Sequence, residues 1–230
     1  MKNLTNFCFA GLILLGVSLA MCSEQPASKS ATAVCDTLEA STPQQALAKL
    51  MVGNERYGAG QGIHPRSGMD RVAETAPHQA PFAGVVGCSD SRVPVELLFD
   101  QGIGDIFVIR TAGNNVNSES VIGSVDNAIE HLGVKVLLVL GHGSCGGVTG
   151  AISEGHEEHG NIGQLLGTIR NDVPQYVGKA DSLDSAIRHH AHVQVERILA
   201  YPHVAQKVQK GELLVKRAYY DVNTGKVTVD

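Results

Sequence analysis

Three short runs rich in valine and isoleucine, residues 82–87, 105–110 and 134–141, constrain the fold of this chain more than any other feature. A strand with one wet face alternates polar and apolar side chains. These runs are continuously apolar instead, which predicts strands buried on both faces in a parallel sheet. Between the last two lies a helical stripe, Val121, Ile122, Val125, Ala128, Ile129 and Leu132, so strand, helix and strand imply a right-handed crossover. Upstream, Thr42, Pro43 and Gln45 fit an N-cap, a first-turn proline and a capping-box partner. A helix over 42–57 follows, with Ala46, Leu47, Leu50 and Met51 on one face. Further helices are expected to begin near Cys145 and to cover 162–170, 183–199 and 204–209. Residues 213–220 and 226–229 flank a turn and read as a strand and turn on the sheet edge. The predicted fold class is α/β: one domain, a central mostly parallel sheet flanked by helices, and a C-terminal edge strand. No repeat or second boundary interrupts it, and 230 residues at 43% hydrophobic can bury a sizeable core.

The ends read differently. Residues 1–21 carry Lys2, an apolar run and the small pair Ser18 and Ala20, the pattern of a secretory signal, and the run is shorter than a membrane span. Export to the periplasm is therefore expected, with cleavage near Ala20. A lipid anchor on Cys22, placed just after the apolar run, is the lower-ranked alternative. Residues 22–40 are rich in Ser, Ala and Thr and read as a linker, leaving 41–230 as the folded domain. A formal charge of -5 without a basic run lacks the footprint of a nucleic-acid binder. With 4% aromatic residues and no tryptophan, a groove of stacked rings is disfavoured, and small molecules are the better candidate partners.

Of five cysteines, Cys8 lies in the signal, and an exported context permits disulfides, either Cys88 to Cys145 or Cys22 to Cys35. The neighbours of two of them point elsewhere. Cys88 and Asp90 follow the first buried strand in Gly87-Cys88-Ser89-Asp90-Ser91-Arg92-Val93-Pro94, and His142 and Cys145 follow the third in Gly141-His142-Gly143-Ser144-Cys145-Gly146-Gly147. Both clusters fall at carboxyl ends of parallel strands, the rim where open α/β sheets build sites. Two thiolates, an imidazole and a carboxylate suit tetrahedral zinc, whereas a disulfide leaves His142, Asp90 and Arg92 unexplained. If Arg92 grips Asp90, the carboxylate is kept off the metal and a fourth position stays open for water.

With Gly53-Asn54-Glu55-Arg56-Tyr57, Arg110-Thr111-Ala112-Gly113-Asn114, Glu130-His131-Leu132-Gly133-Val134 and Ala218-Tyr219-Tyr220-Asp221, these motifs resemble the β-class carbonic anhydrases from about Thr42 to the C-terminus. The resemblance implies a zinc enzyme, one ion per subunit, interconverting carbon dioxide and bicarbonate through a zinc-bound hydroxide. It implies a homodimer or dimer of dimers, with the N-terminal helix packing on a partner subunit. Cys88, His142 and Cys145 would be constant ligands, Asp90 a switchable one paired with Arg92. Gln79 would donate to substrate, and Phe107 and Ala112 would line the pocket. Two departures stand out: Asn127 occupies the place of a common tyrosine, and Val85 that of the tryptophan which accompanies a noncatalytic bicarbonate site near Arg110, so that site is expected to be absent. The same ligands would serve a hydrolase of carbonyl sulfide or carbon disulfide, and a noncatalytic zinc or redox protein is the reading from another class. His189, His190 and His192, with His156 and His159, lack ligand spacing and read as a solvated helix face and a polar loop, a proton relay being their alternative role. Cys35 reads as a free or disulfide-bonded thiol, and Tyr219 and Tyr220 as strand residues packed in the sheet.

Overall fold

The computed structural model describes residues 38–155 and 159–230, and its first helix is capped by Thr42 as expected. Helix α1 spans Pro43–Gly58, and its capping box is formed: the Gln45 backbone N–H donates to Thr42 Oγ1, and the Thr42 N–H donates to Gln45 Oε1. Its Ala46, Leu50 and Gly53 face is buried. A Cβ on Gly53 would stand 1.8 Å from the Phe99 carbonyl oxygen, so only glycine lets the helix approach that closely. Asn54 Nδ2 donates to the carbonyls of Leu98 (2.9 Å) and Gly225 (3.0 Å), while its Oδ1 accepts from the Val227 N–H (2.8 Å). Arg56 holds the buried Asp100 at 2.6 Å. The motif at 53–57 is thus a joint between the helix, the segment after the first strand and the C-terminal turn.

The sheet contains β1 (Ala83–Cys88), β2 (Ile106–Thr111), β3 (Val136–His142), β4 (Leu214–Tyr220) and β5 (Val227–Val229), in the order β2-β1-β3-β4-β5. The first four strands are parallel, and β5 runs antiparallel on the edge. Every residue of β1 and β3 is buried, which is why their sequences do not alternate. Side chains still point to opposite faces in turn: Val136, Leu138 and Leu140 meet α1 and α3 (Val95–Leu98), whereas Leu137 and Val139 meet α4 (Glu119–Asp126), α7 (Leu183–Leu199) and α8 (Pro202–Gln209). Helices α5 (Gly146–Ile152) and α6 (Gly160–Asp172) pack beside the carboxyl ends of the strands, and α2 (Met69–Thr75) precedes β1. Tyr219 and Tyr220 are buried in β4 as expected.

Several boundaries differ from the sequence reading. The first three strands run one residue further, to Cys88, Thr111 and His142, because ladder hydrogen bonds extend past the apolar run. The helix expected over 121–132 ends at Asp126 and continues as a wider π turn, Asn127–His131, in which the Leu132 N–H reaches back five residues to the Asn127 carbonyl. Helix α2 buries no residue and α3 has four, so neither leaves an apolar stripe to read. The assignment of His190 to a solvated face is corrected: it is wholly buried, on the α7 stripe of Ile187, Ala191, Gln194 and Ile198, although His189 and His192 are partly exposed. The signal, Cys22, Cys35, His156 and the linker up to residue 37 lie outside the described residues. No helix among the described residues is long and apolar enough to cross a membrane.

Candidate metal centre

Strands β1 and β3 are neighbours in the middle of the sheet, and the chain leaves β1 for β2 on one side before returning to β3 on the other. Their carboxyl ends form the crevice where strand order reverses, the place at which open α/β sheets bind ligands. Cys88 is the last residue of β1, His142 the last of β3, and Cys145 the residue before α5. The turn between the latter two passes through Ser144 in the left-handed region (φ 55°). One ligand atom from each of Cys88, His142 and Cys145 lies within 4.8 Å of the others, and all three residues are buried.

The chemistry of this donor set fits a metal cation. His142 Nδ1 lies 3.0 Å from the Gly143 carbonyl, which can only accept, so Nδ1 carries the proton and Nε2 presents its lone pair to the cluster. That Nε2 is buried without a hydrogen-bond partner, a state that costs free energy unless a ligand is bound there. Both cysteines are free thiols, with no disulfide between them. The bond from Cys145 holds the Cys88 sulfur well below the usual thiol range, and the same bond with burial pushes Cys145 up. Two sulfurs this close, one of them inclined to ionise, suit a divalent cation that can hold both as thiolates.

Backbone and side-chain donors fix this cluster from outside. The Cys88 sulfur accepts from the Asp90 N–H at 3.4 Å and the Gly113 N–H at 3.3 Å. Arg92 grips Asp90 with both ends of its guanidinium, Nε to Oδ1 at 3.0 Å and Nη2 to Oδ2 at 2.8 Å, and its backbone N–H adds a third bond at 2.9 Å. These bonds from Arg92 hold the Asp90 carboxyl far below the usual range. Nη2 of Arg92 also donates to the Ser144 carbonyl at 3.1 Å, tying the loop after β1 to the loop after β3. Arg110 donates to the carbonyls of Cys88 (3.1 Å) and Asp90 (2.6 Å), so a second arginine braces the same loop. Asp90 Oδ2 is 4.0 Å from His142 Nε2, beside the ligand atoms but held off them.

Among the residues singled out in the sequence, Cys88, His142, Cys145, Asp90 and Arg92 come together. Ala112 stands between Thr111, the register partner of Cys88, and Gly113, whose N–H reaches the Cys88 sulfur. Gln79 and Phe107 do not join them. Gln79 is exposed in the segment entering β1 at the end opposite Cys88, and Phe107 pairs with Gly84, about 13 Å of strand rise before Cys88. The brace from Arg110 and the Gly113 donor were missed, since they follow from the register of β2 on β1; the Arg-Thr-Ala-Gly-Asn motif was their only signal.

Comparison with known proteins agrees with this geometry. A family model described as carbonic anhydrase matches residues 83–227. Carbonic anhydrase 2 of Mycobacterium tuberculosis is 36% identical over 81% of this chain and 92% of its own. A solved β-carbonic anhydrase from Coccomyxa, in complex with acetazolamide, superposes with a TM-score of 0.62 at 27% identity, covering 68% of this chain and 74% of that one. One of two tetrameric β-carbonic anhydrases from Sordaria macrospora shares the fold, with a TM-score of 0.64 at 23% identity over 69% of this chain and 84% of that one. From the strand-end cluster to the length of the sequence match, the chain belongs to the carbonic anhydrase family, in its β class.

Proposed function

We propose that this chain interconverts carbon dioxide and bicarbonate with one zinc ion held by Cys88, His142 and Cys145, and the observation that carries the reading is the convergence of those three ligand atoms within 4.8 Å. The β-class carbonic anhydrases use zinc. When bound, it supplies Lewis acidity, which makes a water acidic enough to act as a nucleophile near neutral pH. Arg92 occupies both Asp90 oxygens and holds Oδ2 4.0 Å from His142 Nε2, so the carboxylate does not compete for the open position. From there Asp90 Oδ2 accepts a hydrogen bond from the attacking water and aims its lone pair. The bonds that hold Asp90 ionised make it a poor resting place for a proton, and its 17% exposure lets the proton pass to solvent. Ala112 and Gly113 give the cluster a small apolar wall, suited to a substrate that offers little to hydrogen-bond.

A homodimer is part of this reading. Strand β2 is a sheet edge on which Phe107, Val108 and Arg110 are not fully buried. Gln79 and Phe107 are remote along the strands from their own Cys88, so their substrate contacts would be made in a partner's site, with α1 packing across the same interface. The tetrameric relative supports assembly. Export belongs to the proposal as well, and a mature N-terminus near Met21, or lipid on Cys22, would establish its form.

Metal content measured alongside stopped-flow hydration tests the function. The expected result is near one zinc per chain with rapid hydration, and Cys145→Ala should lose both. Zinc without hydration would favour a sulfur-analogue hydrolase, and a metal-free protein would overturn the proposal.

A further inference from the structure

We propose that His190, held by Asp172, is a positioning residue for the metal centre: it fixes the Gly113 turn whose N–H donates to the Cys88 sulfur. The inference rests on reading Cys88, His142 and Cys145 as a metal site.

Gly113 lies in the turn after β2 and adopts a left-handed conformation (φ 68°). Its N–H is 3.3 Å from Cys88 Sγ, and its carbonyl is 2.9 Å from His190 Nε2. A carbonyl only accepts, so Nε2–H donates. Glycine itself supplies no restraint on this turn, because it populates many conformations at little cost. A Cβ would meet Ile169 Cδ1 at 2.8 Å, and the positive φ would strain any stiffer residue here. The restraint comes instead from α7. His190 holds the Gly113 carbonyl, and one turn later Gln194 Oε1 accepts from the Val116 N–H at 3.1 Å.

His190 is held in turn. Its Nδ1 is 3.0 Å from Asp172 Oδ2, and that carboxylate also accepts from Gln194 Nε2 (2.7 Å) and from Arg197. His190 is wholly buried and the Asp172 side chain is 1% exposed. Burying charged groups costs free energy that apolar residues of the same size would not incur. A purpose beyond filling the core is consistent with that cost, and the hydrogen bonds lead to one: from Asp172 through His190 to Gly113 and the Cys88 sulfur. Partners of metal ligands set ligand orientation and basicity, and losing one typically costs 10–100-fold in metal affinity.

Two substitutions separate this role from mere core filling. The amide nitrogen of a glutamine reaches about as far as Nε2, so His190→Gln keeps the bond to Gly113 and gives up Asp172. That of an asparagine sits near Nδ1, so His190→Asn keeps Asp172 and gives up Gly113. Each protein is loaded with cobalt to read the thiolate-to-metal charge-transfer band, and with zinc to follow its transfer to a chelator, alongside thermal unfolding. The expected result for His190→Asn is a shifted band and zinc loss about 10-fold faster. His190→Gln should keep the wild-type band and lose zinc within about twofold of the wild-type rate, even though its melting temperature falls. Should His190→Asn not fold, the double variant His190→Leu/Asp172→Asn removes the buried charge together with the bond, and it should show the same shifted band and faster loss. Band and loss rate alike in the two single variants, or unchanged in the double variant, would overturn the role of His190. Failure of the wild-type protein to bind either metal would instead overturn the metal reading on which it rests.

Discussion

Asp90 and Arg92 meet through a two-pronged contact that holds Asp90 Oδ2 beside the ligand cluster, 4.0 Å from His142 Nε2. On the proposal that this carboxylate orients the attacking water without holding the metal, Asp90→Asn should keep near-stoichiometric zinc and lower the hydration rate about 100-fold, as metal analysis and stopped-flow kinetics would show. Loss of zinc with the rate per bound metal intact would mean the roles of Asp90 and the cysteines are exchanged. These residues were legible in the sequence because each is a reactive type standing beside an apolar strand. The supports were not. Gly113 and Arg110 reach Cys88 only through the register of β2 on β1, and His190 was read as solvated because, with His189 and His192, it falls in no ligand spacing. Its spacing from Ile187 and Gln194 on α7 was the available clue.

Helix α1 is fixed to the rest of the fold by a contact that no side chain can enter. Gly53→Ala should destabilise the protein by about 1–3 kcal/mol, since its Cβ would overlap the Phe99 carbonyl, a backbone group that cannot rotate away. Denaturant unfolding would measure this, and an unchanged midpoint would contradict the packing. Sequence resolved this helix well, because capping box, proline and apolar stripe all agree on where it begins. It resolved α2 poorly. An element that buries nothing in its own chain carries no periodic signal, and one that widens into a π turn, as α4 does, keeps an apolar stripe that a regular helix explains as well.

The whole molecule stores part of its stability in the buried, ionised carboxylate of Asp172. Burial opposes ionisation of Asp172, but the bonds from His190 and Arg197 outweigh it and hold the group down to about 2 from 3.8. A folded-state value below the unfolded one means stability that is complete above about pH 4 and lost as pH falls toward 2. The gap in unfolding free energy between the wild type and Asp172→Asn should therefore shrink by about 2 kcal/mol from pH 5 to pH 2, read by denaturant titration. A gap independent of pH would show that Asp172 is not held ionised by the fold. At this scale the parallel sheet was plain in the sequence, since strands buried on both faces leave continuous apolar runs. Whether the β2 edge meets a partner was not, because an edge strand meant for a partner and a covered one can have the same composition.

The proposed chemistry depends on a zinc ion carried by two thiolates and one imidazole. Two thiolates offset the charge of the metal, so water bound there should be less acidified than under three neutral histidines. Hydration by the zinc-loaded protein should accordingly rise from about pH 6 to about pH 9, followed by stopped-flow at constant ionic strength. A rate that is flat over that range would contradict the donor set proposed for the metal.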